Sequence, residues 1–278
     1  MSKESNRFEA EIVNNVQKYV GHNLPTKLPI WLVNEGVIPG ARIIGVRGIG
    51  SLSRYNKTDV IIYLYGSEPI KISAKLKNAH YFGNWYCHSR FLDEFGKNAF
   101  SRMTEASTRF ANYWMGKKDT PFVGVSLSFG HRTGETGEDF SRIFVTADLI
   151  TVARGYSGGE AQANCMYIEN RCANTIEGII RGLQPINAET VNAATGGFKV
   201  IHRPVNPITE YSNRGKCSYT RFMPYKALDA PTVIRDARTL FSLGQFVPVE
   251  PDSINHNRIL NELEYYYNII VPRKPKRK

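Results

Sequence analysis

The chain has 278 residues, which is enough for one large domain or two modest ones. Its composition, 42% hydrophobic and 22% charged, is typical of a globular protein, and no apolar run reaches the roughly 18 residues of a membrane helix. The net charge of +11 favours a polyanionic partner, with nucleic acid as the first candidate, although an excess of positive charge also serves solubility.

The two ends of the chain and its cysteines bear on where the protein acts. The polar N-terminus, MSKESNRFEAEIV, does not resemble a secretory signal, and none of the four cysteines belongs to a CxxC pair. Reduced thiols in the cytoplasm are therefore expected, rather than disulfides or a zinc site. The basic tail at 273–278, RKPKRK, suits phosphate binding or a nuclear address, so a nuclear location stays open.

Hydrophobic periodicity predicts the elements of the first half of the chain. Residues 4–20 are predicted to form an amphipathic helix because Phe8, Ile12 and Val16 recur at helical spacing. The remaining elements of this half are strands at 42–47, 59–65 and 69–77, a helix at 88–115 interrupted near Gly96, and a strand at 122–129. The predicted order is thus helix, three strands, helix and strand.

The pattern weakens after Gly130. The predicted elements there are strands at 143–154, 198–203 and 218–225 and helices at 164–183 and 253–267, the last with Asp252 or Ser253 as its N-cap. We therefore expect one α/β domain. Its core is predicted at 1–130, a mixed α+β C-terminal elaboration at 131–272, and the basic tail at 273–278.

The predicted hairpin around Gly66 places charged residues on one face. A three-residue loop at 66–68 opposes Val60 to Ala74 and makes every pair on that face apolar, whereas a two-residue turn would mix the faces. The same register opposes Asp59 to Lys75. Asp59, Ser73 and Lys75 are therefore expected to share the second face of the hairpin.

This arrangement resembles the PD-(D/E)XK nucleases, the restriction-endonuclease-like superfamily, whose core is a helix, three antiparallel strands, a helix and a further strand. In that superfamily an Asp begins the second core strand, and an acid and a Lys, separated by one residue, lie on the third. The resemblance implies that Asp59 binds Mg²⁺ and that Lys75 positions or activates the attacking water. Oxygen ligands suit Mg²⁺, and the metal activates the water and stabilises charge on the phosphate.

Ser73 departs from the superfamily pattern, which usually has Asp or Glu at this position. A hydroxyl is a weak Mg²⁺ ligand, so a second carboxylate must come from elsewhere. Some members recruit a glutamate from the following helix, which points to Glu94 with Asp93 beside it. Others place an acid on the first helix, which points to Glu9 or Glu11, and we favour Glu11. The predicted catalytic residues are Asp59, Ser73, Lys75 and Glu11, and the predicted metal ligands are Asp59, Glu11 and Glu94.

Basic, polar and aromatic residues near the hairpin suit contact with nucleic acid. The segment at 76–90, LKNAHYFGNWYCHSR, interleaves aromatic and basic residues, which fits nucleic-acid binding and equally fits a loop that packs its rings into the core. An arginine in the loop GHRTGETGED suits a DNA groove, with an ordinary solvated loop as the alternative. The predicted contacts are Arg47, Arg54, Lys57, Lys77, Asn78, His80 and Arg132.

These features together predict a Mg²⁺-dependent DNA endonuclease, either a type II restriction enzyme or a phage or viral nuclease. A homodimer is expected by analogy, because cutting both strands usually needs two sites. The alternative is a non-catalytic nucleic-acid-binding or viral structural protein, in which Asp59 and Lys75 form an incidental pair on a surface hairpin. A second carboxylate near Asp59, from Glu9, Glu11, Glu35, Asp93 or Glu94, would distinguish the nuclease from the binding protein.

Overall fold

The protein folds into two compact units, each formed by two separate stretches of the chain. The computed structural model describes residues 3–49, 56–77, 79, 81–131, 134–211, 214–252 and 254–275. Unit 1 comprises Met1–Phe82 and Val145–Phe198, and unit 2 comprises Gly83–Phe144 and Lys199–Lys278. The segment Gly83–Phe144 is thus an insertion into the chain of unit 1.

The described residues form a mixed α/β structure with several sheets. The helices are α1 (Lys3–Gln17), α2 (Ile30–Asn34), α3 (His88–Met115), α4 (Thr146–Arg154), α5 (Ile176–Gly182), α6 (Ala188–Thr195), α7 (Ala237–Ser242) and α8 (His256–Tyr267). The strands are β1 (Ile43–Gly48), β2 (Val60–Leu64), β3 (Ile70–Lys75), β4 (Tyr81–Asn84), β5 (Val125–Gly130), β6 (Gly137–Asp139), β7 (Cys165–Ile168), β8 (Leu183–Pro185), β9 (Lys199–Pro204), β10 (Thr220–Pro224), β11 (Thr232–Val233), β12 (Gly244–Pro248) and β13 (Ile269–Ile270).

Unit 1 is built on a five-stranded mixed sheet with the order β1-β2-β3-β7-β8. The first three strands are antiparallel to one another, β7 runs parallel to β3, and β8 is antiparallel to β7. Helix α1 packs on one face of this sheet, where Phe8, Ile12 and Val16 are buried at 3% exposure or less. The apolar stripe predicted for residues 4–20 is therefore the surface that covers the sheet.

The register of the β2–β3 hairpin differs by two residues from the prediction. Val60 pairs with Ile72 rather than with Ala74, so the connection is longer than the three-residue loop we expected. The end of β2 pairs with β1 instead, and Glu68 N donates to the Gly36 carbonyl. A shift of two residues preserves the face of every side chain, so the predicted sharing of one face by Asp59, Ser73 and Lys75 is unaffected.

Two predicted elements in the second half of unit 1 were assigned to the wrong type. Residues 143–154 were predicted as a strand, but α4 occupies Thr146–Arg154, and the Asp148 side chain accepts a hydrogen bond from Val145 N at its start. The helix predicted at 164–183 is instead strand β7 followed by the short α5. All four residues of β7 are buried beside β3, so tertiary pairing overrides a local pattern that is ambiguous for short apolar runs.

Unit 2 contains a four-stranded sheet with the order β4-β5-β9-β6, together with two small two-stranded sheets. The long helix α3 has the interruption predicted near Gly96, whose φ of 78° lies in the left-handed region. Helix α8 is capped by Asn255, whose side chain accepts from Arg258 N, rather than by the predicted Asp252 or Ser253. No helix in the described ranges combines the length and apolar character needed to cross a membrane.

The predicted domain boundary at residue 130 coincides with none of the three boundaries between the two units, which follow Phe82, Phe144 and Phe198. The strand predicted at 122–129 corresponds to β5, which belongs to the unit 2 sheet, while the fourth strand of the unit 1 sheet is β7. A prediction that takes the elements in chain order misses this arrangement, because the inserted segment itself contains a helix and a strand in the order expected for the core.

We predict that Asn164 holds the beginning of β3 against β7. Its side chain accepts from Lys71 N at 2.8 Å and donates to the Pro69 carbonyl at 2.9 Å, and it is 3% exposed. The substitution Asn164→Ala would leave a buried N–H and a carbonyl unpaired, at a cost of about 2 kcal/mol in the free energy of unfolding. Urea denaturation measures this loss, with the exposed Asn14→Ala of the same unit as the control. A loss below about 0.5 kcal/mol would contradict the assigned role.

Candidate active site

Asp59 lies immediately before β2 and accepts two hydrogen bonds through one carboxylate oxygen. Its Oδ2 receives the Ala74 backbone N–H at 2.8 Å and Lys75 Nζ at 3.1 Å. Its own backbone N–H donates to the Ile72 carbonyl at 2.8 Å. The acid is therefore fixed to β3 through its backbone and through its side chain, which gives its carboxylate a defined direction.

Lys75 is the last residue of β3, and its ammonium group donates hydrogen bonds to two oxygen atoms. Besides Asp59 Oδ2, it donates to the Ala74 carbonyl at 3.0 Å. The side chains of Asp59 and Lys75 are 15% and 18% exposed, so the pair is largely withdrawn from solvent but still reachable. Their ion pair is screened less by water and salt than a pair on the open surface would be.

A second carboxylate, that of Glu9 on α1, interacts electrostatically with this pair. Glu9 is 8% exposed, and Ser5 Oγ donates to its Oε1 at 3.5 Å. The pKa of Glu9 is raised to about 7, chiefly by burial and also by the negative charge of Asp59, while the Lys75 ammonium opposes the increase. Glu9, Asp59 and Lys75 thus form one electrostatically coupled group.

Glu11, which we favoured as the inward acid, lies elsewhere. Burial raises the pKa of the Cys172 thiol and the Glu11 carboxylate adds to that increase, which places Glu11 near the segment after β7. The sequence contained the signal that separates the two acids. Glu9 precedes Ile12 by three residues and Val16 by seven, so it continues the buried stripe of α1.

The other predicted carboxylates have different partners. Glu94, a predicted metal ligand, is buried in unit 2, where Arg90 Nε donates to its Oε1 at 2.7 Å. Glu35 forms a bidentate ion pair with Arg154, whose Nη1 and Nη2 donate to Oε1 at 3.1 Å and to Oε2 at 2.7 Å. Each acid therefore neutralises an arginine, and neither joins the group around Asp59.

Ser73 lies within β3 at 1% exposure, beside Met166 of β7. Continuing the β2–β3 register by one residue brings it opposite Asp59. The predicted proximity of these two residues is therefore supported, although the pairing itself is shifted. Its burial suits a small polar residue that leaves room for the neighbouring carboxylates.

The predicted nucleic-acid contacts have mixed outcomes. Arg47 pairs with Glu160 at 2.5 Å, and Tyr63 donates to the same carboxylate. Lys57 is 7% exposed and its alkyl chain packs closely against Gly155, so it is not an open phosphate contact as predicted. Lys77 is exposed. Four predicted contacts, Arg54, Asn78, His80 and Arg132, lie outside the described residues.

Two carboxylates beside a lysine can hold a divalent cation, with the remaining positions filled by main-chain carbonyls and water. No cluster of three or more His, Cys, Asp and Glu side chains suited to a metal occurs in the described parts of the chain. Mg²⁺ commonly keeps several waters and takes only one or two carboxylates, so a pair of carboxylates from Glu9 and Asp59 is compatible with it.

Comparison with known proteins gives no relative from which a role can be transferred. The chain matches no family model, no curated protein and no solved structure.

We predict that Glu9 makes the stability of the metal-free protein depend on pH. Its pKa is about 7 in the folded protein against 4.5 for an ordinary glutamate, so the folded state holds the proton more tightly. This contribution is fully present below about pH 4.5 and is lost as the pH rises through about 7.

Glu9→Gln is therefore expected to become more stable relative to the native protein as the pH rises. The relative gain between pH 4.5 and pH 8.5 would reach about 3 kcal/mol at most, from the size of the pKa shift. Chemical denaturation in EDTA across this range measures it, with Glu11→Gln on the same helix as the matched control. If the stability of the native protein and that of Glu9→Gln depended equally on pH, the raised pKa assigned to Glu9 would be contradicted.

Proposed function

We propose that the protein is a Mg²⁺-dependent DNA endonuclease with a PD-(D/E)XK-like core, in which Glu9 supplies the second carboxylate. The observation that carries the proposal is the electrostatic coupling of the buried Glu9, whose pKa is raised, to the Asp59–Lys75 ion pair. A carboxylate buried beside a second one is unfavourable for folding unless a proton or a cation neutralises it. Such arrangements of acids are typical of functional sites.

The order of elements in unit 1 supports the same proposal. With the inserted segment Gly83–Phe144 and the five-residue α2 set aside, the chain of unit 1 runs from α1 through three antiparallel strands, α4 and β7. This is the order of helix, three antiparallel strands, helix and strand that characterises the superfamily core. Asp59 precedes the second of these strands and Lys75 ends the third, as the superfamily pattern requires.

Each residue of the group has a chemical role under this proposal. Glu9 and Asp59 would hold Mg²⁺, which when bound supplies an activated water and charge stabilisation on the phosphate. Lys75, whose ammonium group forms an ion pair with Asp59, would orient the attacking water and complement the negative phosphate. Glu9 must lose its proton before it can bind a cation, so metal affinity should rise with pH around neutrality.

One observation favours the rival, a nucleic-acid-binding protein without catalysis. Lys75 and the Ala74 N–H already satisfy Asp59 Oδ2, so the pair has a complete set of contacts of its own. In that case Glu9 would be a buried acid that holds its proton more tightly than an ordinary glutamate does. Metal-dependent cleavage distinguishes the two functions directly.

We predict that the purified protein cleaves DNA in the presence of Mg²⁺ and not in EDTA. Asp59→Ala, Lys75→Ala and Glu9→Ala are each expected to slow cleavage by at least about 100-fold, because each removes several kcal/mol of transition-state stabilisation. Glu11→Ala, two residues along the same helix, is the matched control and should cleave at the native rate.

Plasmid DNA, phage genomic DNA and single-stranded DNA should all be offered, since a sequence-specific enzyme cuts only where its site occurs. Cleavage that survives the changes at Asp59 and Lys75 would contradict the site. Equal losses in Glu9→Ala and Glu11→Ala would remove Glu9 from it.

A further inference from the structure

Trp85 adopts a backbone conformation that large side chains rarely take. Its φ is 55°, in the left-handed region, and the only other non-glycine residue with positive φ among the described residues is Asn268, which ends α8. Such strain in a bulky residue is retained where the surrounding structure holds it in place, and it is frequent at binding sites. Trp85 follows β4 directly and its side chain is partly exposed.

Two positive charges contact the Trp85 ring. The guanidinium carbon of Arg203 lies 3.8 Å from the ring centroid, and Lys216 Nζ lies 5.4 Å from it. Both distances are within the range of a cation–π interaction, which holds a cation over an aromatic face without neutralising its charge. The indole ring therefore brings together two side chains whose like charges would otherwise favour separation.

The loop that carries Lys216 contains a further positive charge. Arg214 is 5% exposed, and its Nε has no hydrogen-bond partner within the described residues. Its other contacts are to main chain: Arg214 Nη2 donates to the Lys274 carbonyl, and its own carbonyl accepts from Asn257 N. None of the ion pairs formed by described residues neutralises Arg214, so its charge adds to the local positive potential.

The same loop is joined to the basic C-terminal segment. Lys274 N donates to the Pro207 carbonyl at 2.8 Å, and Lys274 Nζ lies 5.2 Å from the centroid of the Tyr211 ring. Lys274 is exposed and belongs to the basic sequence RKPKRK at 273–278. Aromatic residues thus hold exposed or partly exposed cations at two places in one part of unit 2.

We propose that Trp85, Arg203 and Lys216, which we call the Trp85 cluster, form a binding site for the phosphodiester backbone of DNA, and that the charge of the buried Arg214 adds to the positive potential of this site. The site lies wholly within unit 2. The inference rests on the proposed function only for the identity of the ligand, since DNA is the substrate proposed for unit 1.

The chemistry of the cluster matches a repeating anion better than a single one. Guanidinium and ammonium groups are the principal protein donors to phosphate oxygens, and the guanidinium can donate to two of them at once. Several cations spread along one loop and the adjoining tail suit successive phosphates of a strand. Trp85 acts as a positioning residue that fixes the direction of Arg203 and Lys216.

Binding of the full-length protein to a fluorescein-labelled duplex tests the proposal by anisotropy. EDTA is present throughout, so the measurement does not depend on cleavage. Lys216→Ala and Arg203→Ala are each expected to weaken binding about 3- to 10-fold and to lower the slope of log K against log salt by about 0.9, the value for one lost phosphate contact. Trp85→Ala should weaken binding to a similar extent without removing a charge, and Trp85→Phe should retain most of the affinity.

The matched controls are Lys226→Ala and Arg235→Ala, which remove exposed cations from the same unit and should change affinity less than about twofold. Thermal unfolding verifies that each variant is folded, and Lys216→Ala is informative even if the change at Trp85 prevents folding. The proposal is overturned if the native protein does not bind the duplex, or if Lys216→Ala binds as the controls do. DNA binding that depends on Lys216, without cleavage in Mg²⁺, would support the Trp85 cluster and count against the proposed nuclease activity alone.

Discussion

The central constraint in unit 1 is the need to neutralise two carboxylates where β2 begins and β3 ends. Asp59 and Glu9 share a single nearby ammonium group, that of Lys75, in a region largely withdrawn from water. Burial is the main cause of the raised pKa of Glu9, and the negative charge of Asp59 adds to it because one ammonium group cannot balance two carboxylates. Either a proton or a bound cation must supply the missing positive charge, and a divalent cation does so while placing an electrophile at the same position.

The sequence was informative where local patterns and tertiary structure agree. Alternation in the hairpin predicted that Asp59, Ser73 and Lys75 share one face, and this conclusion tolerates a shift of register by two residues. The apolar stripe of α1 was equally clear, although we overlooked that Glu9 continues it. The choice between Glu9 and Glu11 was therefore decidable from the sequence by a closer reading of helical spacing.

The sequence was uninformative where distant segments decide the structure. Strand β7 is a four-residue run with no periodicity of its own, and its place beside β3 depends on a parallel pairing across about ninety residues of intervening chain. The inserted segment of unit 2 contains a helix and a strand in the expected order, which is why the predicted boundary at residue 130 differs from the boundaries of the two units. Trp85 lies in the segment at 76–90, whose sequence fits nucleic-acid contact and core packing equally well. Its left-handed φ, which sets it apart from the other aromatic residues of that segment, is visible only in the folded structure.

The proposed site depends on Glu9 being a metal ligand. The number of protons released when Mg²⁺ binds tests this role most directly. Isothermal titration calorimetry at pH 7, in two buffers of different ionisation enthalpy, gives the number of protons released. For the native protein we expect about half a proton per bound ion, because Glu9 has a pKa of about 7. For Glu9→Gln we expect much weaker binding and no release from this position. Equal Mg²⁺ affinity and equal proton release in the two proteins would contradict the account.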